Sequence, residues 1–359
     1  MRKPIHSQAA QERLTVGLDL GDRHSRYCVL SERGEVVIAD ALPTTKTGLN
    51  RLFERMPPSR VVLEVGTHSP WVSRHLAGLG HEVIVANPRQ VALIYRSGPK
   101  DDRLDAEKLA RLGRVDPQLL APIRHRGEQA QADLAVIRAR EALVEGRTKL
   151  INTARGLVKS LGERLPCCDS EDVGLELTEK LSPGLQPILE PLLRSVESLS
   201  AEIAAYDKQI KSLEKRYPEV ELLQQVHGVG TLVGLTFLLT IEDPDRFRRS
   251  REVGAYLGLQ PRRRESGASQ PQLGISKVGD QDVRRLLVQA AHCILRQRAP
   301  DSDLRRWGLK RLERGGKNAK RKAVVAVARK LAVLLHRLWV SGEVYEPLYS
   351  RRTPRAVAA

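Results

Sequence analysis

Residues 14–20 read Leu-Thr-Val-Gly-Leu-Asp-Leu, an apolar run with one carboxylate, Asp19, near its end. Residues 60–65, Arg-Val-Val-Leu-Glu-Val, repeat the arrangement with Glu64. Short runs rich in Val and Leu and followed by glycine predict strands. An unperturbed carboxyl titrates at about pH 4, and burying it charged costs several kcal/mol unless it is paired or metal-bound. Each of these acids sits at the C-terminal end of its strand, where a sheet presents site residues. Either side chain alone is equally well read as an outward-facing strand residue.

Outward from these two runs, Arg26 to Leu30 and Glu35 to Ile38 follow glycine turns and complete a three-stranded meander. Helical stretches around Gly48 to Met56 and Trp71 to Leu79 alternate with the strands at 60–65 and Glu82 to Ala86, and a further helix starts near Gln90. The order β-β-β-α-β-α-β-α describes a mixed sheet covered by helices, an α/β domain over residues 14–122. Asp102 and Asp105, in KDDRLDAEKLA, are three apart on a predicted helix and share a face. Asp101 lies off the Asp105 face, and Glu107 reads as solvated. Asp19, Glu64, Asp102 and Asp105 together form a set of hard oxygen donors without histidine or thiol, suited to Mg²⁺ or Mn²⁺. Two such ions activate a nucleophile and stabilise a leaving oxygen on phosphate.

Residues 123–217 read as helical. Leu143, Leu150 and Leu157 recur every seven residues, as do Val144, Ile151 and Val158. Leu189, Leu192, Val196, Leu199, Ile203, Tyr206, Ile210 and Leu213 follow the 3-4 alternation of a coiled-coil seam. Pro166, Pro183, Pro187 and Pro191 are expected to break helicity between the two stretches. The pattern fits a long antiparallel helical hairpin or a seam that joins copies into a homo-oligomer, a dimer or tetramer.

The chain carries 60 basic and 43 acidic side chains, a net charge of +17. Residues 218–359 hold 27 of the basic and 14 of the acidic ones, while residues 123–217 are balanced. A localised basic excess is the footprint of a polyanion partner or a solvated basic face. With only 4% aromatic residues, membrane-surface binding is disfavoured, and no uncharged apolar run is long enough to span a bilayer. Four cysteines without C-x-x-C spacing exclude a structural zinc site. With no apolar h-region behind Arg2 and Lys3, the expected location is the cytoplasm.

In the third segment, residues 218–345, His227-Gly228-Val229-Gly230 separates two apolar helical stretches. This is the outline of a helix-hairpin-helix, whose glycine turn offers N–H groups to a phosphate; Gly228 and Gly230 are the candidates. Arg262, Arg263 and Arg264 open the following loop and suit bidentate phosphate contacts, with Lys277 at its far end.

These motifs, in order, resemble one family. GLDLGDRHS, LEVGTH, KDDRLDAEKLA, HGVG, FRRSREVGAYLGLQPRR, ESG and ISKVGDQDVRRLL are similar to those of the IS110 insertion-sequence transposases of bacteria, over roughly residues 14–340. The resemblance implies an RNase H-like, RuvC-type domain with a DEDD metal site made by Asp19, Glu64, Asp102 and Asp105. One departure is Asp101, where the family often carries Thr. The resemblance further implies a serine nucleophile in the C-terminal domain; the S-G context makes it Ser266, with Ser269 and Ser276 as alternatives. A serine hydroxyl needs a base or metal to attack phosphate. Such attack on DNA leaves a 5′-phosphoserine link that strand exchange reverses. The resemblance also implies a structured non-coding, bridge-type RNA encoded beside the gene, which pairs with target and donor DNA. Three other functions fit parts of the sequence. In a structure-selective nuclease of the Holliday-junction-resolvase type, the carboxylates activate water and Ser266 is a bystander. An actin-like kinase would use GLDLGDRHS as a phosphate loop, but its later glycine-rich loops are not evident. A non-catalytic nucleic-acid scaffold would use the basic segment alone.

Overall fold

A computed structural model describes residues 13–88, 102–262, 264, 269, 271 and 273–349, with 102 and 103 described by their backbone alone. The chain forms two compact units, Met1–Glu128 and Gln129–Ala359.

The first unit is built on five strands, β1 (Thr15–Asp19), β2 (His24–Leu30), β3 (Val36–Pro43), β4 (Arg60–Glu64) and β5 (Glu82–Ala86). Their order across the sheet is β3-β2-β1-β4-β5. The meander β1-β2-β3 is antiparallel, and β1, β4 and β5 run parallel. Parallel neighbours need crossover connections. Helix α1 (Lys46–Phe53) and helix α2 (Ser69–Gly78) supply them. Both lie on one face, where Val16, Leu18, Val61 and Leu63 meet Leu49, Phe53, Val72 and Leu76. Helix α3 (Asp102–Val115) covers the opposite face, with Leu109 and Leu112 against Val62 and Ile84, and Ala106 and Ala110 against Cys28 and Leu30. This two-sided cover explains why β1 and β4 read as continuous apolar runs rather than alternating ones. The arrangement fits the RNase H-like α/β architecture expected. The third strand is longer than the four residues anticipated, and Val36, Val37 and Ile38 remain exposed at the sheet edge. The helix expected from Gln90 falls in residues 89–101, outside the described ones.

The second unit is helical: α4 (Glu128–Ser160), α5 (Gln186–Glu214), α6 (Glu219–Gln224), α7 (Thr231–Ile241), α8 (Val253–Tyr256), α9 (Gln281–Ile294), α10 (Asp303–Glu313) and α11 (Ala319–Ser341). Helices α4 and α5 run antiparallel within the chain: Arg140 pairs with Asp207, and Arg147 donates to Ser200. Two sequence expectations need correction here. Pro187 and Pro191 do not break helicity but lie inside α5, Pro187 in the first turn, where its missing N–H would be unbonded anyway. On α4 the buried stripe is Ile151, Ala154 and Val158, whereas Leu157 is 38% exposed, so the leucines mark the margin of the contact. At the base of this hairpin Leu134, Ile137, Ile210 and Leu213 join the core that surrounds α7. Helix α7 is buried from Gly234 to Ile241 and packs against α6, α9 and the lower part of α5. Each large apolar side chain there contributes about 1.5–3 kcal/mol. Asp133, 3% exposed, locks the same corner by accepting from Arg216 (2.7 Å), Tyr217 (2.6 Å) and Gln129 (3.1 Å). Burial and that bond push the Tyr217 phenol up to about 12. Among the described residues no helix is long and apolar enough to cross a membrane.

Candidate active site

The parallel register of β1 and β4 pairs Leu18 with Leu63. The next residue on each strand is the acid, so Asp19 and Glu64 end neighbouring strands roughly 4.8 Å apart. With side chains alternating, both share a face with Gly17 and Val62, the face that α3 covers. Gly17 makes this cover close: a Cβ there would lie 1.9 Å from the Ala106 carbonyl oxygen and 2.6 Å from the Ala110 nitrogen. Gly113 does the same farther along α3, against Val62. The helix is thereby seated so that the charge of Asp105, next to Ala106, is felt by Glu64 at the end of β4.

Electrostatics records the convergence. Burial raises the Glu64 carboxyl above its ordinary value, and the charges of Asp19 and Asp105 raise it further. Asp105 also pairs with Lys108 at 3.2 Å. Glu107 turns instead to Arg111 at 2.6 Å. The backbone of Asp102 begins α3, one turn before Asp105, and Asp101 lies outside the described residues. Among the described side chains no three His, Cys, Asp or Glu groups are drawn together tightly enough to hold an ion by themselves. The donor chemistry nonetheless suits a hard divalent ion: the acids are carboxylates, repel one another, and have no soft ligand among them.

That repulsion gives a test. A raised folded-state pKa means that the fold favours protonated Glu64. This contribution to stability is complete below the ordinary glutamate range and is lost as pH rises through the raised value. Without metal, Glu64→Gln is therefore expected to melt higher than wild type at neutral pH and to lose that part of the pH dependence. Added Mg²⁺ or Mn²⁺, binding only the folded state, is expected to raise the wild-type melting temperature, with about 2.7 kcal/mol gained at a hundredfold excess over Kd. Thermal melts of Glu64→Gln should show little of this gain; an equal metal response in both proteins would exclude Glu64 as a ligand.

Sequence reasoning missed the turn that carries the chain from Glu64 to α2. Ser69 donates to the Gly66 carbonyl (2.8 Å), accepts from the Gly66 N–H (3.0 Å) and lies 2.9 Å from His125 Nε2. Burial, with Arg74 and Arg126 nearby, lowers the His125 pKa and favours the neutral ring. A serine before proline signals only a local turn, and His125 is 56 residues away from Ser69.

In the second unit, Ser266 and Arg263 lie outside the described residues. The described residues on either side of them form a stem. Arg262 N–H donates to Gly274 (2.9 Å), Ser276 to Gln260 (2.8 Å) and Lys277 to Gly258 (3.1 Å). Gly258 (φ +68°) and Gly279 (φ +84°) are required where the limbs cross, since a Cβ on either would fall 2.1 Å from a backbone oxygen. A single nitrogen of Arg284, Nη1, donates to the carbonyls of Leu257, Val278 and Asp280, joining the stem to α9. None of these three residues was identifiable as a site residue from sequence. Arg262, Arg264, Ser269 and Lys277 are exposed, Lys277 with φ +56°, and Ser276 is half-buried.

Of the glycine pair, Gly228 (φ +87°) packs against α9, its Cβ position 2.9 Å from the Ala290 oxygen, so close packing accounts for that glycine. Gly230 caps α7 and faces open space.

Comparison with known proteins converges on one group. Residues 16–162 match a transposase model for the DEDD domain of IS110 elements, and residues 220–305 match the model described as transposase IS116/IS110/IS902 family. The chain is similar to the transposase for insertion sequence element IS1111A of Coxiella burnetii, 29% identical over 344 residues, covering 92% of this chain and 90% of that protein. It is similar to the transposase for IS1328 of Yersinia enterocolitica, 27% identical over 335 residues, covering 92% and 98%. A transposase of Sinorhizobium fredii, y4pF/y4sB, is 30% identical over 306 residues, covering 82% and 76%. With its strand-end acids, the α3 carboxylate and the C-terminal match in the same chain, this protein belongs to the IS110 family of insertion-sequence transposases.

Proposed function

We propose that this transposase cuts and rejoins DNA through a serine nucleophile, Ser266, with Mg²⁺ or Mn²⁺ held by Asp19, Glu64, Asp102 and Asp105. The observation that carries the reading is the placing of Asp19 and Glu64 side by side on neighbouring parallel strands, with the charges of Asp19 and Asp105 both acting on Glu64. A bound divalent ion would supply Lewis acidity at phosphate. In the proposed step the Ser266 Oγ–phosphorus bond forms as the P–O3′ bond breaks. The hydroxyl proton passes to a general base, the leaving O3′ takes the bond's electron pair and a proton from the protonated base or solvent, and the products are a free 3′-hydroxyl and a 5′-phosphoserine. Attack by an exchanged 3′-hydroxyl reverses these events, returns the proton to serine and needs neither water nor ATP. Arg262, Arg263 and Arg264, just ahead of Ser266 in sequence, are suited to hold the flanking phosphates. Gly230, with nothing within 4 Å of its Cβ position, is the better of the two glycine candidates for a backbone contact. Selection of target and donor by an element-encoded RNA, with assembly of a dimer or tetramer, completes the reading. Base pairing would then choose sequence while the protein reads backbone and shape.

The test is covalent trapping. Protein incubated with element-end DNA and Mg²⁺, then denatured, is expected to carry a DNA adduct that disappears in Ser266→Ala. Robust cleavage by Ser266→Ala, with no adduct in wild type, would favour the hydrolytic nuclease instead.

A further inference from the structure

The hairpin of α10 and α11 lies almost wholly beyond the residues matched by the family models, the second of which ends at 305. Residues 310–322 hold seven cations and a single acid, Glu313. Lys310, Arg311 and Arg314 end α10, Lys317 sits in the turn, and Lys320, Arg321 and Lys322 begin α11; all are exposed. None of the seven belongs to an ion pair recorded among the described residues.

The two helix ends differ in what explains their charge. Cations at the C-terminus of α10 complement the helix dipole, so a solvated surface accounts for them. Cations in the first turn of α11 oppose it, and that turn has no acid. Its cap, Asn318, is left-handed (φ +66°) and gives no side-chain bond to the helix. The first turn thus gathers three positive charges onto N–H groups that already favour an anion.

The two helices of the hairpin are also closely packed. Gly308 lets α10 approach α11, with a Cβ there only 2.6 Å from Val327 Cγ2. Trp307 holds one cation from each helix, Arg311 at 4.6 Å and Lys330 at 4.5 Å from its ring centre. A cluster of exposed like charges at the start of a helix, placed against its dipole, is complementary to an extended polyanion.

We propose that the tip of the α10–α11 hairpin is a docking surface for the phosphate backbone of double-stranded DNA. It rests on the chain's family role in handling DNA and not on the serine chemistry. The probe is a random-sequence DNA duplex of about 30 base pairs, with the full chain in EDTA, so that binding is read without cleavage. The variant is Lys317→Gln, Lys320→Gln, Arg321→Gln and Lys322→Gln together.

Each neutralised phosphate contributes about 0.9 to the slope of log affinity against log salt. The quadruple variant is expected to lose about 3 from that slope and at least about tenfold in affinity near 0.1 M salt. Lys208→Gln, Lys211→Gln and Lys215→Gln, removing exposed charge from the α5 end, should change the slope by less than about 0.5. The melting temperature of the quadruple variant should equal or exceed that of wild type, because the removed charges oppose the dipole. An unchanged slope, an equal effect of the α5 variant, or a lowered melting temperature would overturn the proposal. So would a loss confined to duplex RNA of the same length. Failure of covalent trapping with this binding intact would count against the serine reading alone.

Discussion

Asp19→Asn is expected to lower metal-dependent strand cleavage by at least about a thousandfold while leaving the fold in place. Metal ions stabilise charge in phosphoryl transfer by several kcal/mol, and each 1.36 kcal/mol is tenfold in rate. Asp19 ends a central strand with parallel β4 on one side and antiparallel β2 on the other, so its backbone is held on both edges. Asparagine keeps the shape and one acceptor oxygen but removes the charge that opposes the ion's own. The substitution also relieves Glu64 of one of the two charges that raise its pKa. The metal-free variant should therefore melt no lower than wild type, and binding of non-cleaved duplex DNA should persist. Single-turnover cleavage and melting curves on the same preparation separate the two effects. Wild-type-like cleavage by Asp19→Asn would remove the carboxylate cluster from the chemistry.

Gly17→Ala is expected to produce the largest stability loss of any single methyl addition in the first unit, about 3 kcal/mol or more. The added carbon would meet backbone atoms of α3, which cannot rotate away as a side chain can. The helix must lift from the sheet. That movement exposes Leu109, Ala106 and Ala110 and carries Asp105 away from Asp19 and Glu64. Cleavage should fall together with stability. Gly66→Ala, in the neighbouring LEVG stretch, provides the control: nothing lies within 4 Å of its Cβ position, so its effect should stay within about 0.5 kcal/mol. Denaturant unfolding of both variants checks the contrast. Equal stability of Gly17→Ala and wild type would mean that α3 does not sit on β1 as described.

The parts of this molecule that were legible in its sequence are those set by local pattern. The runs at 60–65 and 82–86 are apolar, flanked by turn residues and of strand length, and β4 and β5 form there. Residues 39–43, Ala-Asp-Ala-Leu-Pro, have no β-branched side chains, so nothing in them signals that β3 continues past Ile38. Of the two seven-residue repeats on α4, Ile151 and Val158 face the contact while Leu143, Leu150 and Leu157 lie along its margin, and spacing alone does not tell which stripe is buried. Among site residues, Asp19 and Glu64 announced themselves as acids in apolar strands, and Asp105 by its spacing from Asp102. Gly17, Gly258, Gly279 and Arg284 were silent. Each acts through a contact made only when distant segments meet, and a glycine or arginine looks the same in sequence whether or not such a partner exists.

The shared register of β1 and β4 has one more consequence. Side chains alternate along a strand, so losing a single residue from either one inverts every later position. Val16 and Leu18, or Val61 and Leu63, would turn toward α3, and the acid of that strand would point to the wrong side. Loss of two residues preserves the parity but draws one carboxylate back by a full pleat. The fold therefore tolerates longer turns around the sheet far better than any insertion or deletion inside these ten positions.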